Sequence, residues 1–238
     1  TYELKMRNVK MGPFHYYMKY VEKIVLNHAD AIIVMSEKIR QELLKKGVDA
    51  KRVFLIYPSV DFDMFSDRNV KEIVAFEKCS DDLIVMYAGN FSPWQGIDLL
   101  LLSIPDVVRE VPNVKFVIVG GEPWEIQMKR KLVKKFANHV IFIGRQPYSL
   151  MPSILSKADI LVIPRPESPV NWTTPRKIGE YLAMGKPVIA TDVGDHKRIL
   201  VDNNCGIVVS PNSKALAKAL IELLRDDSLR KEFGRNAR

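Results

Sequence analysis

The sequence predicts a doubly wound α/β fold: a parallel sheet with helices on both faces, preceded by part of a second unit of the same kind. Three observations carry that expectation. Apolar strand-like runs alternate with amphipathic helix-like segments along the chain. Most of the runs are continuously apolar rather than alternating, which marks strands buried on both faces. Glycine, proline and polar residues gather where the runs end, since every strand must turn.

Taken in order, a helical segment over 14–28 leads into "AIIVMS" (31–36), a helix over 37–46 and "VFLIY" (53–57). The stretch "PSVDFDMFSDRNVKEIVAFEKCSDD" (58–82) starts with proline, is rich in Asp and has no sustained period, so it reads as a linker or crossover. Beyond it come "LIVMYAG" (83–89), "VKFVIVGG" (114–121), "VIFIG" (140–144), "DILVIP" (159–164), "PVIATD" (187–192) and "GIVVS" (206–210). Helical segments over 97–110, 124–137, 148–157, 175–184, 195–202 and 213–225 lie between or after them.

Six strands suffice for a complete sheet, whereas two strands with one buried face are rarely stable alone. Residues 1–57 are therefore expected to be the end of an incomplete domain, 58–82 an interdomain linker, and 83–238 the ligand-binding domain. The chain starts at Thr1, and "LRKEFGRNAR" stops inside helix-like sequence with no cap, so a fragment of a longer protein is expected.

Composition narrows the class. With 47% hydrophobic and 27% charged residues the chain is globular, and no apolar run approaches the ~18 residues of a membrane span. No signal peptide is visible. The formal charge of +8 favours acidic partners, but the cations are dispersed rather than clustered with aromatics, which speaks against nucleic acid. The densest run, "KRKLVKKF" (129–136), reads as a solvated helix face with Leu132, Val133 and Phe136 facing in. Peripheral membrane contact is its sharper alternative. Two cysteines, Cys79 and Cys205, are too few for a disulfide framework or zinc site and imply a reducing, cytoplasmic setting, with Cys205 in the core. In that setting the acceptor-like triplets at Asn90 and Asn171 are chance matches.

Ligands of open parallel sheets bind at the carboxyl ends of the strands. Among the loops there, 164–175 is long, carries four prolines and holds Arg165, Glu167, Asn171 and Trp172. The helix that follows carries the sharpest signal. Thr174 is expected as its N-cap and Pro175 at its first position. Arg176 and Lys177 then stand where cations oppose the helix dipole, by ~0.3–1 kcal/mol each, so an anion such as phosphate is expected to offset them. The plainer account is a basic protein with a Lys177–Glu180 surface pair. Ile178, Tyr181 and Leu182 form the apolar face and leave Glu180 on the other side. A carboxylate accepts two hydrogen bonds, which suits a vicinal diol such as ribose. Phosphate on the helix end and ribose one turn in would make a nucleotide.

Other sites score poorly. No G-x-G-x-x-G or phosphate-loop motif is present. The four histidines, His15, His28, His139 and His196, lack metal-ligand spacing, and no nucleophile triad can be placed.

At this point the residues resemble a family. "KIGEYL" followed by "AMGKPVIATDVG" resembles the nucleotide-sugar-binding half of glycosyltransferase family 4, which has the GT-B fold of two facing Rossmann-like domains. "HADAIIVMSEKIRQELLKKGV", "VFLIYPSVDFDMF", "VMYAGNFSPWQGIDLLL", "VKFVIVGGEP" and "VIFIGRQPYSLMPSILSKADILVIP" agree in order. The resemblance implies a retaining glycosyltransferase that takes a nucleotide-diphosphate sugar and needs no metal or other cofactor. Its acceptor hydroxyl is unspecified, and lipid-linked acceptors are included. The location implied is cytoplasmic, with the inner membrane face as an alternative. This chain would carry mainly the donor half, be inactive alone, and hold no catalytic residue that can be named.

Carried over residue by residue, Glu180 matches the ribose-binding second glutamate of E-x7-E. Thr174, Pro175, Arg176 and Lys177 match the phosphate-facing helix start, and Gly144, Arg145 and Gln146 the loop against the base. Eight residues before Glu180 stands Trp172 rather than glutamate; Glu167, in the same loop, is off register, and both are assigned to the donor sugar. The family's diphosphate-binding Arg and Lys appear here as Asn90 and Gln95. "SPWQG" and "P-x-K-x-x-E" resemble a branch without the first glutamate, in which Arg176 and Lys177 would partly replace the missing cations. The same substitutions leave a non-catalytic nucleotide-binding or scaffolding subunit as the alternative function.

Overall fold

A computed structural model of the chain describes residues 12–71, 76–168 and 172–238. Its larger sheet contains six parallel strands: β3 (Leu83–Ala88), β4 (Val114–Val119), β5 (Val140–Ile143), β6 (Ile160–Ile163), β7 (Val188–Thr191) and β8 (Gly206–Val209). Their spatial order is β5-β4-β3-β6-β7-β8. Register runs Leu83 to Val114 and Val85 to Ile160, so β3 is flanked by β4 on one side and β6 on the other. The chain winds outward in opposite directions from β3, and the crevice of such a fold opens at that reversal.

The continuous apolar runs are explained by two cores. Val85, Tyr87, Phe116 and Ile118 point to one face, where α3 (Ile97–Glu110) and α8 (Ser213–Arg225) cover them with Leu100, Ile104, Leu216 and Leu220. Ile84, Met86, Val117 and Leu161 point to the other, under α5 (Met151–Ser156) and α6 (Arg176–Ala183), with Ile154, Leu155, Ile178 and Tyr181. Each such side chain, buried rather than exposed, contributes about 1.5–3 kcal/mol.

The stretch expected as a linker is anchored to this second core. Phe65 and Phe76 are buried in it, and the Lys71 amide donates to Ser153 Oγ at 2.8 Å. Two widely spaced aromatics have no helical or strand period, which is why the pattern gave no sign of them. Residues 72–75 of that stretch lie outside the described residues.

Ahead of it, α1 (Pro13–His28), β1 (Ile32–Val34), α2 (Glu37–Lys45) and β2 (Val53–Leu55) form a two-stranded parallel sheet with helices. Val34, Val48 and Val53 make its small core. Ile33 and Phe54, on the opposite face, are exposed. This unit docks on the larger one through Asp195, whose Oδ2 accepts from the Glu37 amide at 2.7 Å and the Tyr57 hydroxyl at 2.8 Å.

Two helix expectations are corrected. The segment over 124–137 is α4 (Pro123–Leu132) and then a 3₁₀ turn (Lys134–His139) with Phe136 at φ −118°. The break turns Val133 and Phe136 onto the core and leaves Leu132 58% exposed, in line with exposed Trp124 and Met128. The segment over 148–157 starts as a 3₁₀ turn, and α5 begins only at Met151, because Pro152 has no amide to give and fits only a first turn. α7 (His196–Leu200) and α9 (Asp227–Ala237) complete the order, the latter capped by Asp226 accepting from the Leu229 amide. Among the described residues no helix is long and apolar enough to cross a membrane.

Candidate functional site

A cleft of about 370 Å³ opens at the carboxyl ends of β3, β4 and β5. Its floor is main chain. A Cβ on Gly120 (φ +110°) would lie 2.1 Å from the Gly89 carbonyl oxygen, so the loops after β3 and β4 meet backbone to backbone. Only glycine allows that approach and that φ.

The start of α6 forms one wall. Tyr181 fixes the helix there: its hydroxyl accepts from the Ala88 amide at 3.0 Å and donates to the Ala88 carbonyl at 3.3 Å. Burial pushes that phenol's pKa up, so it stays neutral. Pro175, not Thr174, is the N-cap residue, with extended φ/ψ of −74°/137°, and the helix begins at Arg176. The expected Thr174 cap is not made: its Oγ1 is buried with no hydrogen-bond partner among the described residues. Proline's fixed φ suits the cap position, and it leaves the first helical amides, those of Arg176 and Lys177, without a helical acceptor.

Lys177 is strongly affected by its surroundings. Its ammonium donates to Gln95 Oε1 at 3.1 Å and sits 4.4 Å from the centre of the Tyr87 ring. The Tyr87 hydroxyl in turn donates to the Asn90 carbonyl at 2.6 Å. Lys177 is half-buried, and its ammonium is packed between Gln95 and the Tyr87 ring. Burial, and then the charge of Arg165, push its pKa down to about 7 against an opposing pull from Glu180. Arg165 is itself buried; one guanidinium nitrogen donates to the Thr173 carbonyl at 3.1 Å, and its Nε has no hydrogen-bond partner among the described residues. Two enclosed cations therefore stand near each other with no carboxylate bridge to either among the described residues, an arrangement that favours an anion.

The Lys177–Glu180 pair of the plainer account is not among the contacts of the described residues. Arg176 takes that place, with its Nε 3.5 Å from Glu180 Oε1. Tyr148, from the loop after β5, donates its hydroxyl to the same oxygen at 2.8 Å and accepts from an Arg176 guanidinium nitrogen at 3.2 Å. Glu180 Oε2 accepts nothing from the described residues. Of the two cations at the helix start, Lys177 is thus held beside the loop after β3 and Arg176 on the carboxylate side.

Six of the residues singled out from sequence line this cleft: Asn90, Arg145, Gln146, Arg176, Lys177 and Glu180. Gln95 joins through Lys177. Gly144 stands behind the lining, where its carbonyl accepts from Gln146 Nε2 at 3.4 Å, and Arg145 pairs with Glu122 at 2.6 Å. Glu167 and Trp172 are elsewhere. They line a smaller pocket of about 140 Å³ with Lys38, Ser168, Asp192, Val193 and Gly194, and the Lys38 ammonium lies 4.6 Å from the Trp172 ring centre. Asn171 lies outside the described residues. The sequence did not single out Tyr148, Met151 or the Gly120–Gly121 floor as ligand contacts, although all sit at strand ends. His196 is buried, its Nδ1 2.8 Å from the Thr191 carbonyl and its pKa pushed down to about 4, so it stays neutral. No group of three or more His, Cys, Asp or Glu among the described residues could hold a metal ion.

Comparisons with known proteins follow this geometry. Residues 70–238 match the family described as glycosyl transferases group 1, and residues 1–64 match glycosyltransferase family 4. The α-D-kanosaminyltransferase of Streptomyces kanamyceticus is 25% identical over 225 residues, covering 92% of this chain and 57% of that enzyme. The chain thus spans little more than half the length of such relatives. Among solved structures, a sucrose-phosphate synthase from Thermosynechococcus elongatus superposes with a TM-score of 0.72 at 26% identity, over 92% of this chain and 55% of that one. Anabaena Alr3699/HepE, solved in complex with UDP, superposes with a TM-score of 0.77 at 19% identity, over 95% of this chain and 64% of that one.

Proposed function

Since the chain belongs to the glycosyl transferases group 1 family, we propose that it is the donor-binding part of a retaining glycosyltransferase. Such an enzyme moves a sugar from a nucleotide diphosphate to an acceptor hydroxyl. One observation carries this reading: Lys177 and Glu180 stand one helical turn apart in a single cleft, at a helix start whose cap residue makes no side-chain bond.

Each group has a physical role in that chemistry. As the bond to the diphosphate breaks, negative charge grows on the leaving oxygen. The amides of Arg176 and Lys177 and the Lys177 ammonium would stabilise it. Glu180 would accept the ribose hydroxyls, and Gly144 to Gln146 would lie against the base. No metal is required in this scheme, because the cations and the helix dipole supply the positive charge. Glu167 and Trp172, in their separate pocket, would meet the sugar only if the donor extends past α6. Domain closure over the cleft would exclude water. The acceptor would come from outside this chain's cleft, and lipid-linked acceptors fit the scheme as well as soluble ones. If lipid-linked, peripheral contact with the inner membrane face would follow, and α4 with its neighbouring lysines is the segment expected to make it. Free Cys79 and Cys205 suit a cytoplasmic setting.

The test is calorimetric titration of the chain with UDP, GDP and ADP, with Glu180→Ala in parallel. Selective binding of one diphosphate, weakened by the substitution, supports the reading and identifies the base. No binding of any by the folded chain overturns it. A second reading has its own observation: Asn90 and Gln95 are uncharged, so the site could hold a nucleotide in a scaffolding subunit without turnover. Donor-sugar consumption by a protein that contains this chain would decide against that reading.

A further inference from the structure

Glu180 is not a free carboxylate. Its Oε1 accepts the Tyr148 hydroxyl at 2.8 Å and lies 3.5 Å from Arg176 Nε, while Oε2 has no partner among the described residues. We propose that Tyr148 is a positioning residue that fixes the Glu180 carboxylate for a ribose hydroxyl and so sets how strictly the site demands ribose. This rests on the donor-site reading above.

Tyr148 is itself well placed to hold another group. Its ring packs against buried Phe65 with centroids 5.5 Å apart, and the Arg176 guanidinium lies 5.4 Å from the ring centre while donating to the hydroxyl at 3.2 Å. Burial, and then the bond to Glu180, push the phenol up to about 12. It therefore keeps its proton and remains a donor at every ordinary pH.

The chemistry follows from the two oxygens of a carboxylate. An unrestrained glutamate can rotate and offer either oxygen to a ligand. With Oε1 held by Tyr148, the oxygen left for the ligand is Oε2, in one orientation. A neutral phenol does this without cancelling the charge, whereas a full Arg176–Glu180 bridge would compete with the ligand. A hydroxyl acceptor fixed in this way is left unpaired by a deoxy analogue, which is how such sites discriminate.

The experiment titrates the 238-residue chain, Tyr148→Phe and Glu180→Gln with four probes. These are the tightest binder among UDP, GDP and ADP, its 2′-deoxy and 3′-deoxy analogues, and inorganic pyrophosphate. In the unmodified chain one deoxy analogue is expected to bind about tenfold more weakly. In Tyr148→Phe that penalty should shrink to about twofold, the parent diphosphate should lose about tenfold, and pyrophosphate should bind as before. An unchanged deoxy penalty in Tyr148→Phe, with Glu180→Gln abolishing it, overturns the role of Tyr148 and leaves the ribose reading standing. Equal weakening of pyrophosphate overturns it too, because that marks a general loss of structure. If Glu180→Gln changes nothing, the ribose reading itself falls, and the proposal with it.

Discussion

The Lys177 ammonium is held by the side-chain oxygen of Gln95, 3.1 Å away, across 82 positions of sequence. Gln95 is the position where the resemblance leads one to expect a cation, and the cation that stands there comes from α6 instead. Charge-assisted hydrogen bonds contribute about 1.5–3 kcal/mol, so Lys177→Ala should weaken nucleoside diphosphate binding about tenfold to a hundredfold in calorimetry. Lys177→Met, of similar length, should do the same. Affinity equal to that of the unmodified chain in both variants would remove Lys177 from the diphosphate site.

Proton linkage gives a second expectation. With a folded-state pKa near 7 against about 10.4 for an unperturbed lysine, Lys177 is largely neutral in the empty cleft at pH 8. A diphosphate favours the charged form, so binding at that pH should take up a proton. The ligand's phosphates, with a last pKa near about 6, are already deprotonated there and contribute nothing. Titrations at pH 8 in buffers of different ionisation heat should show the uptake, and Lys177→Met should lose it. Stability runs the other way. The unfolded chain binds more protons than the folded one between about 7 and about 10.4, so this group's contribution rises with pH across that window.

Gly89 supplies a third. Its φ is +152°, and a Cβ there would fall 2.5 Å from Lys177 Nζ. Gly89→Ala is strained in backbone and must push the ammonium off Gln95, although the end of a lysine can give way. The expected result is a modest loss of thermal stability, about 1–3 kcal/mol, with a loss of diphosphate affinity similar to that of Lys177→Ala. Combining the two substitutions should add little further loss of affinity, because both act on one contact.

The extent to which this was readable from sequence follows from the range of each interaction. Every strand of both sheets was legible, because continuous apolar runs report local burial, and α3 and α8 appear over the residues expected. The helix start that carries Lys177 was legible for the same reason: caps and charges at a helix end are written in adjacent residues. Contacts between elements were not. Tyr148 meets Glu180 across 32 positions and Gln95 meets Lys177 across 82, with no period linking them. The departures have the same origin. In the plainer alternative Lys177 pairs with Glu180, but Lys177 is drawn to Gln95 and Glu180 takes Arg176 and Tyr148. The Thr174 cap lost to Pro175, whose fixed φ ends the loop one residue later.

Asp195 sets the last expectation. It is buried, and its Oδ2 accepts from both the Glu37 amide and the Tyr57 hydroxyl. The first contact places a carboxylate at the N-terminus of α2, where the dipole favours it. The second, after burial, helps push Tyr57 up to about 12. Arg198 adds a longer contact to Glu37 at 3.7 Å, with the arginine largely exposed, which contributes little. Asp195→Ala leaves two donors unpaired and should destabilise the docked state by about 2–4 kcal/mol. Tyr57→Phe removes one bond and should cost about 1 kcal/mol. If the carboxylate holds the small unit onto the larger one, limited proteolysis of Asp195→Ala should cut first within residues 1–57, with the six-stranded unit protected. Uniform protection at the wild-type rate would show that packing alone holds the two together.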